Sequence, residues 1–263
     1  MTGSYDTNIM GVCICRMSNV VPTDIVTSHS AVEKSRELVG EFYEEEKEGM
    51  HKRIKELFER ALLNPRVLTT INLSLCSLGE PGAYQLSNLI SHTPDVLVLK
   101  LWKCHLGPKG IEFLAEHLSK LTKLKVLALE DNQLGAEGVN FLARSLLLLP
   151  TLEEVYLHEN QISTEGAKIL SKAVANLVNI RVFTLDENDI RSDGLTPLLG
   201  SLPLARLTTL GLAYNNIDDR GAALLVQRAA DLQALLKLSF DGNPVSATVK
   251  ASVEAAFKKA QIY

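Results

Sequence analysis

Two consecutive stretches of the chain carry one pattern: residues 124–151 read LKVLALEDNQLGAEGVNFLARSLLLLPT, and residues 152–179 read LEEVYLHENQISTEGAKILSKAVANLVN. Placed one above the other, they share aliphatic residues at positions 1, 4, 6 and 11, Asn at position 9 and Gly at position 15. A further aliphatic pair follows at positions 19 and 23, which is the spacing of one helix face. A fixed period of this length indicates a repeat protein, in which each unit packs mainly on its neighbours.

The pattern extends in both directions from these two stretches. Seven repeats begin at Leu68, Val96, Leu124, Leu152, Ile180, Leu207 and Leu235. The spacing is 28 residues, except for one step of 27 residues where the turn near Pro203 is one residue shorter. Position 9 is Cys76 and Cys104 in the first two repeats and Asn in the later ones.

Each position in the repeat predicts a structural role. Side chains alternate along a strand, so Leu127 and Leu129 enter the core from a short strand. The Asn that follows is expected to satisfy buried backbone groups of the bending chain, and the cysteines at this position are expected to be structural. The Gly, for example Gly138, is expected to open the helix where that helix crowds the strand layer. Leu142 and Leu146 then bury one helix face against the strands.

The complete pattern, L-x-x-L-x-L-x-x-N/C-x-L followed by Gly and a helix, resembles the ribonuclease-inhibitor class of leucine-rich repeats. The resemblance covers Leu68 to Tyr263. It implies an α/β solenoid, a horseshoe fragment with parallel strands on the concave face and helices on the convex face. It also implies a binding role rather than catalysis, although repeat architecture by itself specifies function weakly.

The chain divides into three predicted regions: a flexible N-terminal tail (1–30), a helical N-terminal cap (31–66) and the repeat domain (67–263). Open solenoids need caps, because a terminal repeat otherwise exposes its core. Two apolar stripes predict the helices of the N-terminal cap: Leu38, Val39, Phe42 and Tyr43 in the first, and Ile54, Phe58, Ala61 and Leu62 in the second. The seventh repeat is predicted to end in a capping helix that buries Val249, Val253 and Phe257.

Composition and motifs narrow the classes of function. The formal net charge of −4 gives no reason to expect nucleic-acid binding. No apolar run approaches the length of a membrane span. The four cysteines fit neither a zinc site nor a disulfide scaffold, which favours a cytoplasmic protein, with nuclear or cytoskeletal association as alternatives. No catalytic or nucleotide-binding motif is present, so we expect no enzymatic activity, no cofactor and no metal.

The N-terminal stretch Met10-Gly11-Val12-Cys13-Ile14-Cys15 leaves one alternative open. If translation began at Met10, Gly11 would follow the initiator, with Cys13 and Cys15 close behind, as in dually acylated N-termini. Position 15 holds Cys where the myristoylation pattern has Ser or Thr. An unmodified tail is therefore the favoured interpretation.

The concave face is the predicted binding surface. The three middle repeats place seven carboxylates there, including Glu153, with only Lys125 and Arg181 opposing them, and aromatic residues flank the cluster. Large aromatics beside charge are typical of interface hot spots. The predicted partner-binding residues are Trp102, Glu130, Asp131, Glu154, Tyr156, His158, Glu159, Asp186, Glu187 and Tyr214. We therefore expect a protein partner with a basic surface.

Two other functions remain open at this point. The chain is similar to the leucine-rich-repeat domain of Ran GTPase-activating proteins, and that resemblance implies a GTPase activator. That family has more repeats and usually an acidic tail, whereas this chain ends in Lys258-Lys259-Ala260-Gln261-Ile262-Tyr263. The third possibility is a structural subunit of a cytoskeletal or ciliary assembly.

Overall fold

The computed structural model describes residues 37–39, 58–59, 61–63 and 65–263. The predicted tail, with Gly11, Cys13 and Cys15, lies outside the described residues, as does most of the predicted N-terminal cap.

The described residues form one parallel sheet of nine strands, whose order in the sheet follows the chain. The strands are β1 (Glu37–Val39), β2 (Thr70–Asn72), β3 (Val98–Lys100), β4 (Val126–Ala128), β5 (Glu154–Tyr156), β6 (Val182–Thr184), β7 (Thr209–Gly211), β8 (Lys237–Ser239) and β9 (Gln261–Ile262). From β2 to β8, each strand pairs with the equivalent residues of the next repeat, for example Leu127 with Val155. The repeat register predicted from the sequence is confirmed.

A helix follows each repeat strand and lies on the opposite side of the core. These helices are α1 (Gly79–His92), α2 (Gly107–Leu118), α3 (Gly135–Leu146), α4 (Ser163–Val174), α5 (Arg191–Ser201), α6 (Asp219–Gln227) and α7 (Ala247–Ala256). Short 3-10 turns occur at Pro65–Val67 and Leu204–Arg206. The second turn follows Pro203, where the repeat is one residue shorter. The fold is the predicted α/β solenoid, and the helix expected in the seventh repeat is α7.

The core is a continuous aliphatic layer between sheet and helices. Leu127 and Leu129 from the strand side and Leu142 and Leu146 from α3 are all fully buried. A further core position, not identified from the sequence, precedes each next repeat: Leu121, Leu149 and Leu177 are fully buried there. In the first repeat this position is the buried Thr93, whose hydroxyl donates to the Leu89 carbonyl at 3.2 Å.

The asparagines form a ladder of hydrogen bonds through the stack. The Asn160 amide nitrogen donates to the carbonyls of Leu129, Leu157 and His158, and its amide oxygen accepts from the backbone N–H of Asn132. Each asparagine thus links its own turn to the preceding repeat.

The two cysteines at the asparagine position are both buried. The Cys104 thiol donates to the Leu73 carbonyl at 2.9 Å, and the Cys76 thiol to the Ser74 carbonyl at 3.7 Å. The structural role predicted for both residues is confirmed.

The role predicted for the repeat glycine is wrong in one respect. Gly138 does not open its helix, because α3 already begins at Gly135. A Cβ at Gly138 would lie 3.4 Å from the Cα of Pro108, and one at Gly166 would lie 3.3 Å from the Cα of Ala136. The glycine is therefore needed where the first turn approaches the preceding helix, not where it approaches the strands.

Both ends of the sheet differ from the prediction. Leu38 and Val39 do not lie on a helix: they belong to β1, which pairs in parallel with β2. Phe58 and Ala61 are helical and join the core, and the rest of the predicted cap helices lies outside the described residues. At the other end, the chain adds β9 after the capping helix, so α7 is not the last element of the stack. An open sheet edge attracts a further strand, because its backbone groups are unpaired.

Candidate partner-binding surface

The surface opposite the helices is formed by strand positions that alternate with the core leucines. On β5, for example, Glu154 and Tyr156 are half-exposed, while Val155 between them is fully buried. Two residues after each strand, a second row continues the same face with Trp102, Glu130, His158 and Asp186. We use the term concave face for the alternating strand positions, for this second row and for the residue that follows each member of the second row.

Backbone hydrogen bonds fix the order of this second row. Lys103 N–H donates to the Glu130 carbonyl at 2.8 Å, Asp131 N–H to the His158 carbonyl at 3.0 Å, and Glu159 N–H to the Asp186 carbonyl at 3.0 Å. Trp102, Glu130, His158 and Asp186 are therefore neighbours on consecutive repeats. Neighbouring strands lie about 4.8 Å apart, so their side chains form a continuous strip.

The residue after this row has left-handed backbone in every repeat. Asp131, Glu159, Glu187 and Tyr214 have φ between 49° and 58°. An isolated non-glycine residue in this region costs about 1 kcal/mol, which the surrounding ladder of hydrogen bonds must offset. Glu159, Glu187 and Tyr214 are exposed there, at the edge of the concave face.

Several of the predicted acidic residues already have partners. Asp131 forms an ion pair with Lys103 at 3.5 Å, and Glu153 forms one with Lys125 at 2.8 Å. The hydrogen bond from Lys125 holds the pKa of Glu153 below its usual range. Lys125 opposes the acidic residues as expected, and Lys103 of the second repeat, which lies outside the three middle repeats, adds a further opposing charge. The signal was available, since Lys103 occupies the same repeat position as Asp131.

Glu154 and Asp186 have local structural contacts. The Tyr156 hydroxyl donates to Glu154 at 2.7 Å. The Asp186 carboxylate accepts from the backbone N–H of Ala213 at 2.9 Å and lies directly over Gly211, where any side chain would collide with it. Asp186 therefore bridges two repeats, a role that its position in the repeat did not predict.

Glu159 and Glu187 differ from these residues. Both are exposed, and neither forms an ion pair within the described part of the chain. They carry uncompensated negative charge on adjacent repeats.

Glu130 is the unusual carboxylate of the face. It is half-buried, and its Oε2 atom is buried without a hydrogen-bond partner among the described residues. Burial raises the pKa of Glu130, while a hydrogen bond from its own backbone N–H, and then the charges of His158 and Lys100, lower it less strongly. The pKa of Glu130 is therefore higher in the folded chain than in the unfolded chain. The contribution of Glu130 to the free energy of unfolding is fully present at pH values below its unfolded pKa, and it is lost as the pH rises through its folded pKa.

Tyr156 lies on β5, the strand next to β4 and Glu130, and Thr184 lies one strand further, on β6. Burial, followed by the hydrogen bond to Glu154, raises the pKa of Tyr156, so this phenol stays protonated. Thr184 pairs with Tyr156 in the register of β5 and β6, and its buried hydroxyl has no partner among the described residues.

The flanking aromatics are exposed as predicted from the repeat. Trp102 is 41% exposed and Tyr214 is 61% exposed. The Tyr214 ring lies over Gly242, where the absence of a side chain leaves room for it. Such amphipathic aromatics bury large areas when a partner docks.

Among the residues that the structure describes, no three His, Cys, Asp or Glu side chains are grouped to hold a metal ion. No helix within the described ranges is both long and apolar enough to cross a membrane.

Comparison with known proteins agrees with this architecture. The model of the leucine-rich-repeat family matches residues 120–143 and 206–226. No curated protein matches the sequence. A Bacteroides fragilis protein of known crystal structure superposes with a TM-score of 0.51 at 14% identity, covering 85% of this chain and 65% of that one. The leucine-rich repeat-containing protein LegL7 from Legionella pneumophila gives 0.52 at 23% identity, covering 77% of this chain and 66% of that one.

The fold and the repeat pattern define the class, a solenoid of strand–helix units built on an asparagine ladder. The chain has the leucine-rich-repeat fold, and two of its segments match the model of the leucine-rich-repeat family. It spans just under two thirds of the length of each of these two relatives. Proteins of this family typically act by binding other proteins.

Proposed function

We propose that this chain is a non-enzymatic interaction module that binds a basic surface of another protein through its concave face. The observation that carries the proposal is the uncompensated charge of Glu159 and Glu187 beside Glu130, with exposed Trp102 and Tyr214 on either side. Clustered charge of one sign speeds association with an opposite surface, and aromatics beside it supply the buried contact area.

The rigidity of the face supports a binding role. Its side chains extend from paired strands and from turns held by the asparagine ladder, so they are positioned before a partner arrives. Preorganised side chains lose less conformational entropy on binding than side chains on a mobile loop.

The repeat length and the helix in each unit support the ribonuclease-inhibitor subtype for this chain. The spacing of the four cysteines, which fits neither a zinc site nor a disulfide scaffold, supports a reducing, cytoplasmic setting. Both assignments are part of the proposal.

Affinity purification with mass spectrometry would identify the partner, and binding kinetics would then test the surface. Glu159→Lys with Glu187→Lys is expected to slow association by about tenfold or more at low salt, because steering by charge is lost. The control is Glu116→Lys with Glu165→Lys, which makes the same change in net charge on exposed positions of α2 and α4. Trp102→Ala is expected to speed dissociation, at a cost of about 2 kcal/mol or more.

Equal effects of the two charge-reversed pairs, or an association rate that does not depend on salt concentration, would show that the interface lies outside the concave face. Asp186 is left unchanged in this design, because its bond to Ala213 makes it part of the fold.

A further inference from the structure

The environment of Glu130 points to the kind of group that the partner supplies. Trp102 precedes Glu130 on the strip, and Tyr156 lies on the next strand. The Oε2 atom of Glu130 and the hydroxyl of Thr184 are buried polar atoms that have no partner among the described residues. Buried polar groups in proteins are nearly always paired, so two on one face call for an explanation.

The chain's own cations do not supply that pairing. Lys100 and His158 lie close enough for their charges to act on Glu130, yet neither forms a hydrogen bond with its Oε2 atom. Lys103 does pair with Asp131 on the face, and Lys125 pairs with Glu153 directly before the strands β4 and β5. Glu130 is thus a desolvated carboxylate whose hydrogen-bonding capacity is left partly unused.

We propose that the partner inserts an arginine side chain here, with its guanidinium donating to the Glu130 carboxylate and its flat face on Trp102. This inference rests on the proposed function and names the group recognised on the partner. Arginine fits better than lysine, because a guanidinium is planar, donates hydrogen bonds in a fixed geometry and stacks on aromatic rings. It is also more weakly hydrated than an ammonium, so it enters a half-buried position more readily.

Trp102 makes the test direct, because it is the only tryptophan in the chain and reports on this position by its fluorescence. The full chain is titrated with three acetylated, amidated tripeptides: Gly-Arg-Gly, Gly-Lys-Gly and Gly-citrulline-Gly. Citrulline keeps the shape of arginine but has no charge. The arginine peptide is expected to give a saturable change in emission. The lysine peptide should bind at least tenfold more weakly, and the citrulline peptide should give no saturable change.

Two variants locate the binding. Glu130→Gln is expected to weaken binding of the arginine peptide at least tenfold, while Glu116→Gln, at an exposed position of α2 on the opposite side of the chain, leaves it unchanged. Glu130→Gln removes a desolvated charge, so its melting temperature at neutral pH should be no lower than that of the parent chain, which separates lost binding from lost fold. Equal binding of the arginine and citrulline peptides, or undiminished binding by folded Glu130→Gln, overturns the inference.

The comparison of the three peptides on the unaltered chain needs no variant, so it decides the matter even if Glu130→Gln fails to fold. Failure here is distinguishable from failure of the proposed function. If no arginine peptide binds but Glu159→Lys with Glu187→Lys still slows association with the partner, only the arginine assignment falls.

Discussion

Asn160 shows how a single side chain links neighbouring repeats. Its amide nitrogen donates to three carbonyls between 2.9 and 3.1 Å, and its amide oxygen accepts from Asn132 N–H at 3.0 Å and Leu134 N–H at 3.4 Å. The side chain is fully buried, so water does not replace any of these bonds. An asparagine in this position satisfies backbone groups that the sharp turn would otherwise leave unpaired.

Asn160→Ala is expected to lower the free energy of unfolding by about 1–3 kcal/mol, because it leaves buried donors and acceptors unpaired. A change of 1 kcal/mol corresponds to about 2–4 °C in melting temperature for a chain of this size. The control is Asn140→Ala, a half-exposed residue of α3 that takes no part in the ladder. Thermal melts that show equal losses for the two variants would contradict the role given to Asn160.

The glycines of α5 provide a second matched pair. A Cβ at Gly194 would lie 2.8 Å from the Cβ of Ala167 and 3.3 Å from the Cα of Thr164, so it would push α5 away from α4. A Cβ at Gly200, in the same helix, would meet nothing within 4 Å.

Gly194→Ala is expected to destabilise the chain by about 1–3 kcal/mol, the usual cost of overpacking. Gly200→Ala should instead stabilise it by up to about 1 kcal/mol, because alanine is the better helix former. Chemical denaturation of both variants measures the difference. Stabilisation by both substitutions would show that helix propensity, not close packing, governs position 194.

At the scale of elements, the N-terminal strand shows where sequence patterns stop being decisive. Leu38 and Val39, followed by Phe42 and Tyr43, fit a helical stripe, yet residues 37–39 form β1. A short apolar run fits either period, and the choice is made by tertiary context. Here the context is the edge of β2, whose backbone groups β1 pairs along Thr70–Asn72.

Truncation tests the contribution of this N-terminal unit. Removing residues 1–63 deletes β1 together with Phe58 and Ala61, which belong to the core. The loss of one buried phenylalanine alone costs about 3–5 kcal/mol, so we expect a large drop in melting temperature and aggregation. Removing only residues 1–28 should leave the melting temperature nearly unchanged. Light scattering and calorimetry of both chains decide the matter, and equal tolerance of the two deletions would show that β1 and Phe58 are dispensable.

At the scale of the whole molecule, the sequence predicted the features that are the same in every repeat. Strand register, the buried leucines and the asparagine ladder follow from spacing alone, because equivalent residues meet equivalent neighbours. Features that depend on how two particular repeats differ were not predicted. The contact of Asp186 with Ala213 requires the small Gly211 beneath it, and the Asp131 ion pair requires Lys103 on the neighbouring turn. The binding surface is therefore harder to predict than the fold that carries it.

Because the repeats have equivalent contacts, we expect that one whole repeat can be deleted without disturbing the pairing of the others. Deleting residues 126–153 joins Lys125 to Glu154, which occupies the position that Val126 leaves. Every later strand then pairs in its normal register, and each asparagine keeps a neighbour one repeat away. Deleting residues 126–139 removes half as many residues but places the rest of α3 where a strand belongs.

The longer deletion is expected to fold, and the shorter one is not. Circular dichroism should show the parent content of helix per residue for the chain lacking 126–153, with a melting temperature lowered by several degrees, since about 1 kcal/mol corresponds to 2–4 °C. The chain lacking 126–139 should lose cooperative unfolding, because its core residues and asparagine ladder fall out of register. The first of these chains also lacks Glu130, so it should fold and still fail to bind the arginine peptide. A folded chain from the shorter deletion would mean that stability does not depend on the repeat register.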